Sequence, residues 1–329
     1  MKRQNNIIEK IILLDNLYLA WYKAKKSKIN KPYVIEFENN LQENLQNIQN
    51  QILTSDVIVG DYGFFYVYEP KKRKISAAKF SERVLHHSIM NICHPFFEKN
   101  LIYHTYATRK NKGTYAALNK AKVGVKKYKY YAKLDIRKYF DSIDHSILKQ
   151  KLRSIFKDPV LIRIFDKIIN SYQVEINKGL PIGNLTSQYF ANHFLSSADH
   201  FLIEKIRIPL YIRYMDDMLL FDNDLNRLKY KVKQFTKYIK ENLLLNFKTV
   251  NINKTSFGVT FLGYKLFQYT VKLNKKSKKR FKKKIRIYNN LLKKGKWSEK
   301  DYQRHITPLI AFTEYADALN FRKNIIFGI

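Results

Sequence analysis

Apolar residues recur three or four apart after Pro32, at Val34, Phe37, Leu41, Leu45, Ile48 and Ile52, and this spacing predicts an amphipathic helix with one buried stripe. Residues Ile7 to Lys26 read as another helix with a basic end, and helices are also predicted over 80–98 and 145–170. Runs rich in β-branched and aromatic residues predict strands at Phe64–Tyr68, Tyr130–Ile136, Pro209–Tyr214, Met218–Phe221 and Val259–Leu266. The break at Glu69-Pro70 leads into Lys71-Lys72-Arg73-Lys74. Strands and helices interleave without a regular βαβ rhythm, so the pattern predicts an α+β fold rather than a doubly wound sheet. No internal repeat and no Gly/Ser- or Pro-rich linker divides the chain.

Composition narrows the class. A length of 329 residues suggests about two structural units. With 45% hydrophobic and 15% aromatic residues, a disordered basic tail is excluded. The lone Cys93 excludes a disulfide framework and a Cys-based zinc site, and fits a reducing cytosol. No apolar run approaches the ~20 residues of a membrane span, and the start Met1-Lys2-Arg3 lacks the apolar core of a signal peptide. A cytoplasmic protein without membrane contact is the expectation.

Charge changes the picture further. Against 62 Lys and Arg stand 27 Asp and Glu, a net +35, which favours a polyanionic partner such as nucleic acid. Abundant Lys, Asn and Ile also follow from an AT-rich genome. The distribution is harder to explain that way: Asn242 to Ser298 holds 16 Lys and Arg and no acid. Charges packed this densely repel unless a counter-polyanion lies alongside, so the segment reads as a phosphate-contacting surface, with a solvated helix as the alternative. Lys275, Lys276, Lys279, Arg280 and Lys283 are its candidate nucleic-acid contacts.

The candidate chemistry lies in the acids. Asp135 ends a strand-like run, where a carboxylate is costly unless a cation meets it. Asp216 and Asp217 sit between two apolar runs, where a tight turn would project both at one rim of a sheet. Such a pair alone is an ordinary turn. Three carboxylates converging from these places would repel unless divalent cations neutralised them, and oxygen-only ligands suit Mg²⁺ or Mn²⁺. Two such ions in a basic protein point to phosphodiester synthesis or cleavage. Asp141 and Asp144 read instead as a turn residue and a helix N-cap.

These motifs resemble those of bacterial reverse transcriptases. Tyr214-Met215-Asp216-Asp217 is similar to their YxDD box, and Asp135 through Ile143 to the preceding aspartate motif. Gly179 through Gln188 falls where the family has its template- and nucleotide-positioning loop and helix, and Phe261-Leu262-Gly263-Tyr264 resembles the primer-grip hairpin. Glu69 to Ile75, Arg83 to His87 and Tyr106 to Gly113 are similar to the fingers. The loop Leu180 to Gln188 and the segment Leu17 to Ala24 most resemble reverse transcriptases of diversity-generating retroelements, with antiphage-defence enzymes as the nearest competitor.

The resemblance implies a right-hand polymerase fold with fingers, an antiparallel-sheet palm and a helical thumb. It implies an N-terminal helical extension over 1–60, fingers over 61–130, palm over 131–265 and basic thumb over 266–329. By likeness, Asp135 and Asp216 would hold two Mg²⁺ or Mn²⁺ ions, with Asp217 as a weaker ligand. Arg73 and Lys74 would clamp the dNTP triphosphate, and Phe140 would exclude a ribose 2′-hydroxyl. Lys248 would donate a proton to the leaving pyrophosphate, with Lys254 competing for that role. Ile182 stands where most of the family carries Gln, so nucleotide selection would rest on shape, and template adenines would be miscopied. Gly183 would let backbone approach the base pair, and Thr186 or Ser187 would cap the helix through Phe190, Phe194 and Ala198. The implied partners are a structured template RNA, a cDNA/RNA duplex, dNTPs and a basic accessory protein. No RNase H, maturase or endonuclease domain is expected after the thumb.

Overall fold

The computed structural model describes residues 6–68 and 71–327, so the Glu69-Pro70 break lies outside the described residues. Nine strands form three antiparallel sheets among these residues. Strands β1 (Tyr62–Val67) and β2 (Arg73–Ala78) form a hairpin. Strands β3 (Tyr130–Ile136), β4 (Leu210–Tyr214), β5 (Asp217–Asp222) and β6 (Phe247–Lys254) make the central sheet, in the order β4-β5-β3-β6. Strands β7 (Val259–Phe261), β8 (Tyr264–Leu266) and β9 (Val271–Leu273) form the third.

The alternation along the central strands separates two cores, because successive side chains leave a strand on opposite faces. Ala132, Leu134, Met218 and Leu220 join a large helical core. Tyr131, Ile212, Leu219 and Phe221 face the other way, onto helix Thr114–Lys127 and the three-stranded sheet. The N-terminal helices are continuous with the first core. Ile7, Leu17 and Ile48 pack there beside Leu85 and Phe165 of helices Phe80–Lys99 and Pro159–Asn170. Asp158 Oδ2 also accepts from the Ile7 and Ile8 amides at 3.0 and 3.3 Å.

Several expected elements divide. The helix after Pro32 is two, Pro32–Asn39 and Leu41–Thr54, interrupted where Asn40 leaves helical geometry. Ile7 to Lys26 becomes Ile8–Ile11 and Leu14–Lys25. The span 145–170 breaks at Asp158-Pro159 into His145–Ile155 and Pro159–Asn170, since Asp158 caps the second helix and Pro starts it. Val259–Leu266 is a hairpin turning at Leu262-Gly263, both at positive φ. Neither Thr186 nor Ser187 caps: both are buried inside helix Leu185–Phe194, whose N-cap position is Asn184. Asp144 does cap, accepting from Ile147 N at 3.0 Å, and Phe190 and Phe194 are core as read.

The pattern gave no warning of β6, whose polar residues lie on a sheet edge, or of helix Thr114–Lys127. The acid-free stretch is therefore not helical throughout: it runs through β6 to β9 before entering helix Lys275–Lys293. A boundary at 265/266 would cut the three-stranded sheet, because β8 pairs with both β7 and β9.

Candidate active site

The three aspartates, Arg73, Lys74, Phe140, Ile182, Gly183, Lys248 and the five basic candidates from Lys275 to Lys283 all line one cleft of about 2280 Å³, whereas the competing Lys254 does not. That is more than twice the upper size of a typical small-molecule pocket, about 1,000 Å³, and leaves room for a polymer. At its floor, β3 and β5 place Asp135 directly opposite Asp217. Asp216 sits in the two-residue turn Met215-Asp216 that joins β4 to β5. Met215 holds φ +56°, the left-handed first position that suits a tight hairpin.

The three carboxylates are not equivalent. Burial raises the Asp216 carboxyl to about 6, the charges of Asp135 and Asp217 push the same way, and Arg73 opposes them. Burial also raises Asp217, against the pull of Lys133. Lys133 Nζ stands 3.2 Å from Asp217 Oδ1 and donates to Thr260 O at 3.0 Å. Asp217 Oδ1 is thus ion-paired, yet buried without an aligned hydrogen bond. Among the described residues, no three His, Cys, Asp or Glu side chains group closely enough to hold a metal ion by themselves. Carboxylate oxygens of Asp135 and Asp216 line the cleft and fit a hard cation that would take its other ligands from substrate phosphates and water.

The cleft walls come from distant parts of the chain. On one side stand Phe64, Arg73 and Lys74 of the β1–β2 hairpin, with Lys74 Nζ 3.7 Å from the centre of the Phe64 ring. Loop 179–184 is fastened to this hairpin, because Ser76 N donates to Ile182 O at 2.8 Å. Gly183 explains how the two meet: at φ +136°, a Cβ there would lie 2.4 Å from Ser76 O. Its glycine is required by protein backbone in the first place. Phe140 lies in the turn Tyr139–Ser142 just after β3, and its carbonyl accepts from Leu180 N at 2.9 Å. Lys248 lies on β6 beside Thr249, the partner of Asp135; Lys254 pairs with Tyr130 at the far end of β3.

The opposite wall is helix Lys275–Lys293. Lys275, Lys279 and Lys283 follow one another a turn apart, with Lys276 and Arg280 beside them, all towards the cleft. Phe281 and Ile285 lie on the other side of the helix and pack on Ile306. Asn274 Oδ1 caps the helix by accepting from Ser277 N at 2.8 Å, and Ser277 Oγ donates to Gly263 O at 2.8 Å. The basic helix is thereby fixed to the β7–β8 turn.

Two site residues escaped the sequence reading. Lys133 lies two residues before Asp135, on the same face of β3, and the period of two was the available signal. Arg213 interrupts an apolar strand and is fully buried, and a charge at that place was the clue.

The cleft thus combines an acidic hairpin turn, a facing β-hairpin and a basic helical wall, an arrangement suited to a polynucleotide. The reverse transcriptase (RNA-dependent DNA polymerase) family model matches residues 69–266, more than half of the chain, and the chain belongs to that family. It is 26% identical over 214 residues to the retron Ec73 reverse transcriptase of Escherichia coli, covering 60% of this chain and 65% of that protein. Protein YkfC of Escherichia coli strain K12 is 20% identical over 273 residues, 67% of this chain and 72% of that one. The putative COX1/OXI3 intron 2 protein of Saccharomyces cerevisiae is 21% identical over 256 residues, 58% of this chain and 30% of that protein. The chain thus spans less than a third of the yeast intron protein. A structure of apo telomerase from Candida tropicalis, truncated from the C-terminal domain, is similar with TM-score 0.47 and 16% identity, covering 65% of this chain and 55% of that chain. No described helix is long and apolar enough to cross a membrane.

Proposed function

We propose that this protein is an RNA-directed DNA polymerase that extends a primer along an RNA template from dNTPs. One observation carries the reading: Asp135 faces Asp217, with Asp216 at the adjoining turn, at the floor of a cleft walled by a basic helix. Mg²⁺ or Mn²⁺ held by Asp135 and Asp216, with Asp217 in support, would neutralise phosphate charge and favour attack by a hydroxyl. Arg73 suits the triphosphate, since its planar fork grips phosphate in two places. Phe140 would press on the sugar C2′, and Lys248 would protonate the leaving group. Lys275, Lys276, Lys279, Arg280 and Lys283 would hold the cDNA/RNA duplex. In this reading the β1–β2 hairpin belongs to the fingers, the central sheet to the palm and the helices after β9 to the thumb.

The finer reading rests on Ile182. It lines the cleft but cannot donate a side-chain hydrogen bond to an incoming nucleotide, so selection leans on shape. One lost polar contact is worth on the order of 1 kcal/mol, which relaxes discrimination several-fold. The reading is an enzyme of a diversity-generating retroelement, error-prone at template adenines, working with a structured template RNA and a basic accessory protein. Primer extension on an RNA template tests both levels. Asp216→Asn should abolish extension with Mg²⁺ and dNTPs, and undiminished extension would remove the polymerase assignment. Ile182→Gln should lower errors opposite adenine; an unchanged spectrum rejects the mutagenic reading and leaves faithful copying of a noncoding RNA, as in an antiphage system.

A further inference from the structure

Arg213 lies on the face of β4 opposite the cleft, between Tyr211 and the carboxylate turn, and is fully buried. All five of its guanidinium N–H groups are used. Nε and Nη2 grip the two carboxylate oxygens of Asp199, the former at 2.8 Å. Nη1 donates to Asn192 Oδ1 at 2.8 Å, and Nη2 to Asn192 O at 3.1 Å. The fifth bond runs from Nη1 to the carbonyl of Met215 at 3.1 Å. Tyr211 OH completes the Asp199 shell at 2.9 Å. Burial works against the guanidinium charge, yet the Asp199 carboxylate holds its pKa above the ordinary arginine value.

The Met215 bond matters because of what Met215 is. Its φ of +56° is a conformation in which Cβ crowds the following carbonyl, so a non-glycine residue stays there only when its surroundings hold it. Asp216 is the next residue, and Asp217 the one after. The same side chain also organises the neighbouring cleft wall. Asn192 Nδ2 donates to Ala107 O at 2.9 Å, and the Arg213 backbone bonds His104 O and Tyr106 N, each at 3.0 Å. Lysine cannot reproduce a planar fork with five directed donors.

We propose that Arg213 is a positioning residue: it holds the Met215-Asp216 turn in its left-handed form, setting Asp216 and Asp217 opposite Asp135 before substrate arrives. This rests on the reading of Asp135 and Asp216 as the carboxylates of the polymerase reaction. Arg213 touches no substrate, so its loss acts on the chemical step through the turn.

Steady-state primer extension on an RNA template, with thermal unfolding of each variant, tests this. Arg213→Lys should lower kcat by about 10- to 100-fold, the loss expected for one charged, buried hydrogen bond. The KM for dNTP should stay within about twofold, because binding groups elsewhere are untouched. Met215→Gly should restore a large part of the lost kcat in the Arg213→Lys background, since glycine accepts the turn without a clamp. Asp222→Asn, which weakens the pairing of the buried Asp222 carboxylate with Arg227 and Lys231 at the far end of β5, supplies a variant of lowered stability; its kcat should remain normal. If Arg213→Lys does not fold, Asn192→Ala removes one guanidinium acceptor and should give a smaller fall in kcat with the same rescue. Normal kcat, loss shared equally by Asp222→Asn, or absence of rescue overturns the proposal. Asp216→Asn run in parallel separates the two levels: an active Asp216→Asn rejects the site itself, whereas an inactive one beside a normal Arg213→Lys rejects only the clamp.

Discussion

Replacing Gly183 with alanine probes how loop 179–184 is set against the β1–β2 hairpin. The new Cβ would lie 2.4 Å from Ser76 O and 3.3 Å from Ile75 Cγ2, at a backbone φ of +136° that alanine rarely adopts. The backbone conformation alone costs about 1–3 kcal/mol. Relieving the clash by moving the loop breaks the bond from Ser76 N to Ile182 O, leaving a buried amide unpaired for about 1–3 kcal/mol more. A total of roughly 2–6 kcal/mol follows, enough to lower Tm by several degrees. The displaced Ile182 lines the cleft, so the KM for dNTP should rise about tenfold or more, a change of about 1.4 kcal/mol or greater. Gly113→Ala is the matched control, because Gly113 has φ +111° but nothing within 4 Å of its would-be Cβ. It should lose about 1–3 kcal/mol of stability through strain alone, with KM unchanged. Thermal unfolding and dNTP titration of both variants decide the matter. Wild-type Tm and KM in Gly183→Ala, or equal effects in the two variants, would refute the close-approach argument.

Other consequences can be measured separately. Glu82 is 3% exposed, and burial raises its carboxyl to about 7 from an ordinary 4.5. The folded state keeps this proton where the unfolded chain has lost it, so stability falls as pH rises from about 4.5 to 7; Glu82→Gln should match wild type near pH 4 and exceed it at pH 8 by up to about 3 kcal/mol, read by denaturant titration across pH. Duplex affinity should drop about 10³–10⁵-fold between 50 and 200 mM salt if roughly 6–10 phosphates are held, and Lys279→Ala and Lys283→Ala should each reduce the log–log slope by about 0.9, checked by fluorescence anisotropy. Asp158→Ala removes acceptors for the Ile7, Ile8, Val160 and Leu161 amides, and should cost about 2–4 kcal/mol while exposing the N-terminal helices to limited proteolysis.

The local pattern was sufficient for β3, β4 and β5, because largely buried strands are rich in apolar, β-branched and aromatic residues, and for the carboxylates, because acids at the ends of such strands stand out. It failed at β6, where an edge strand exposes most of its side chains and needs no apolar alternation. Helix lengths were overestimated for a related reason: the apolar stripe from Val34 to Ile52 continues through Asn40, since two helices can bury one stripe against a common core.

What the sequence by itself determined was the chemistry on offer: three acids at strand ends, a basic acid-free segment, and a family likeness that the match over residues 69–266 bears out. Tertiary structure alone decided how that chemistry is shared out. Lys133 takes up Asp217, Arg213 reaches across β4 to Asp199 and Met215, and Gly183 lies against Ser76 O. These pairings join residues separated by up to about a hundred positions, and their strength comes from burial, which a chain acquires only when its elements pack.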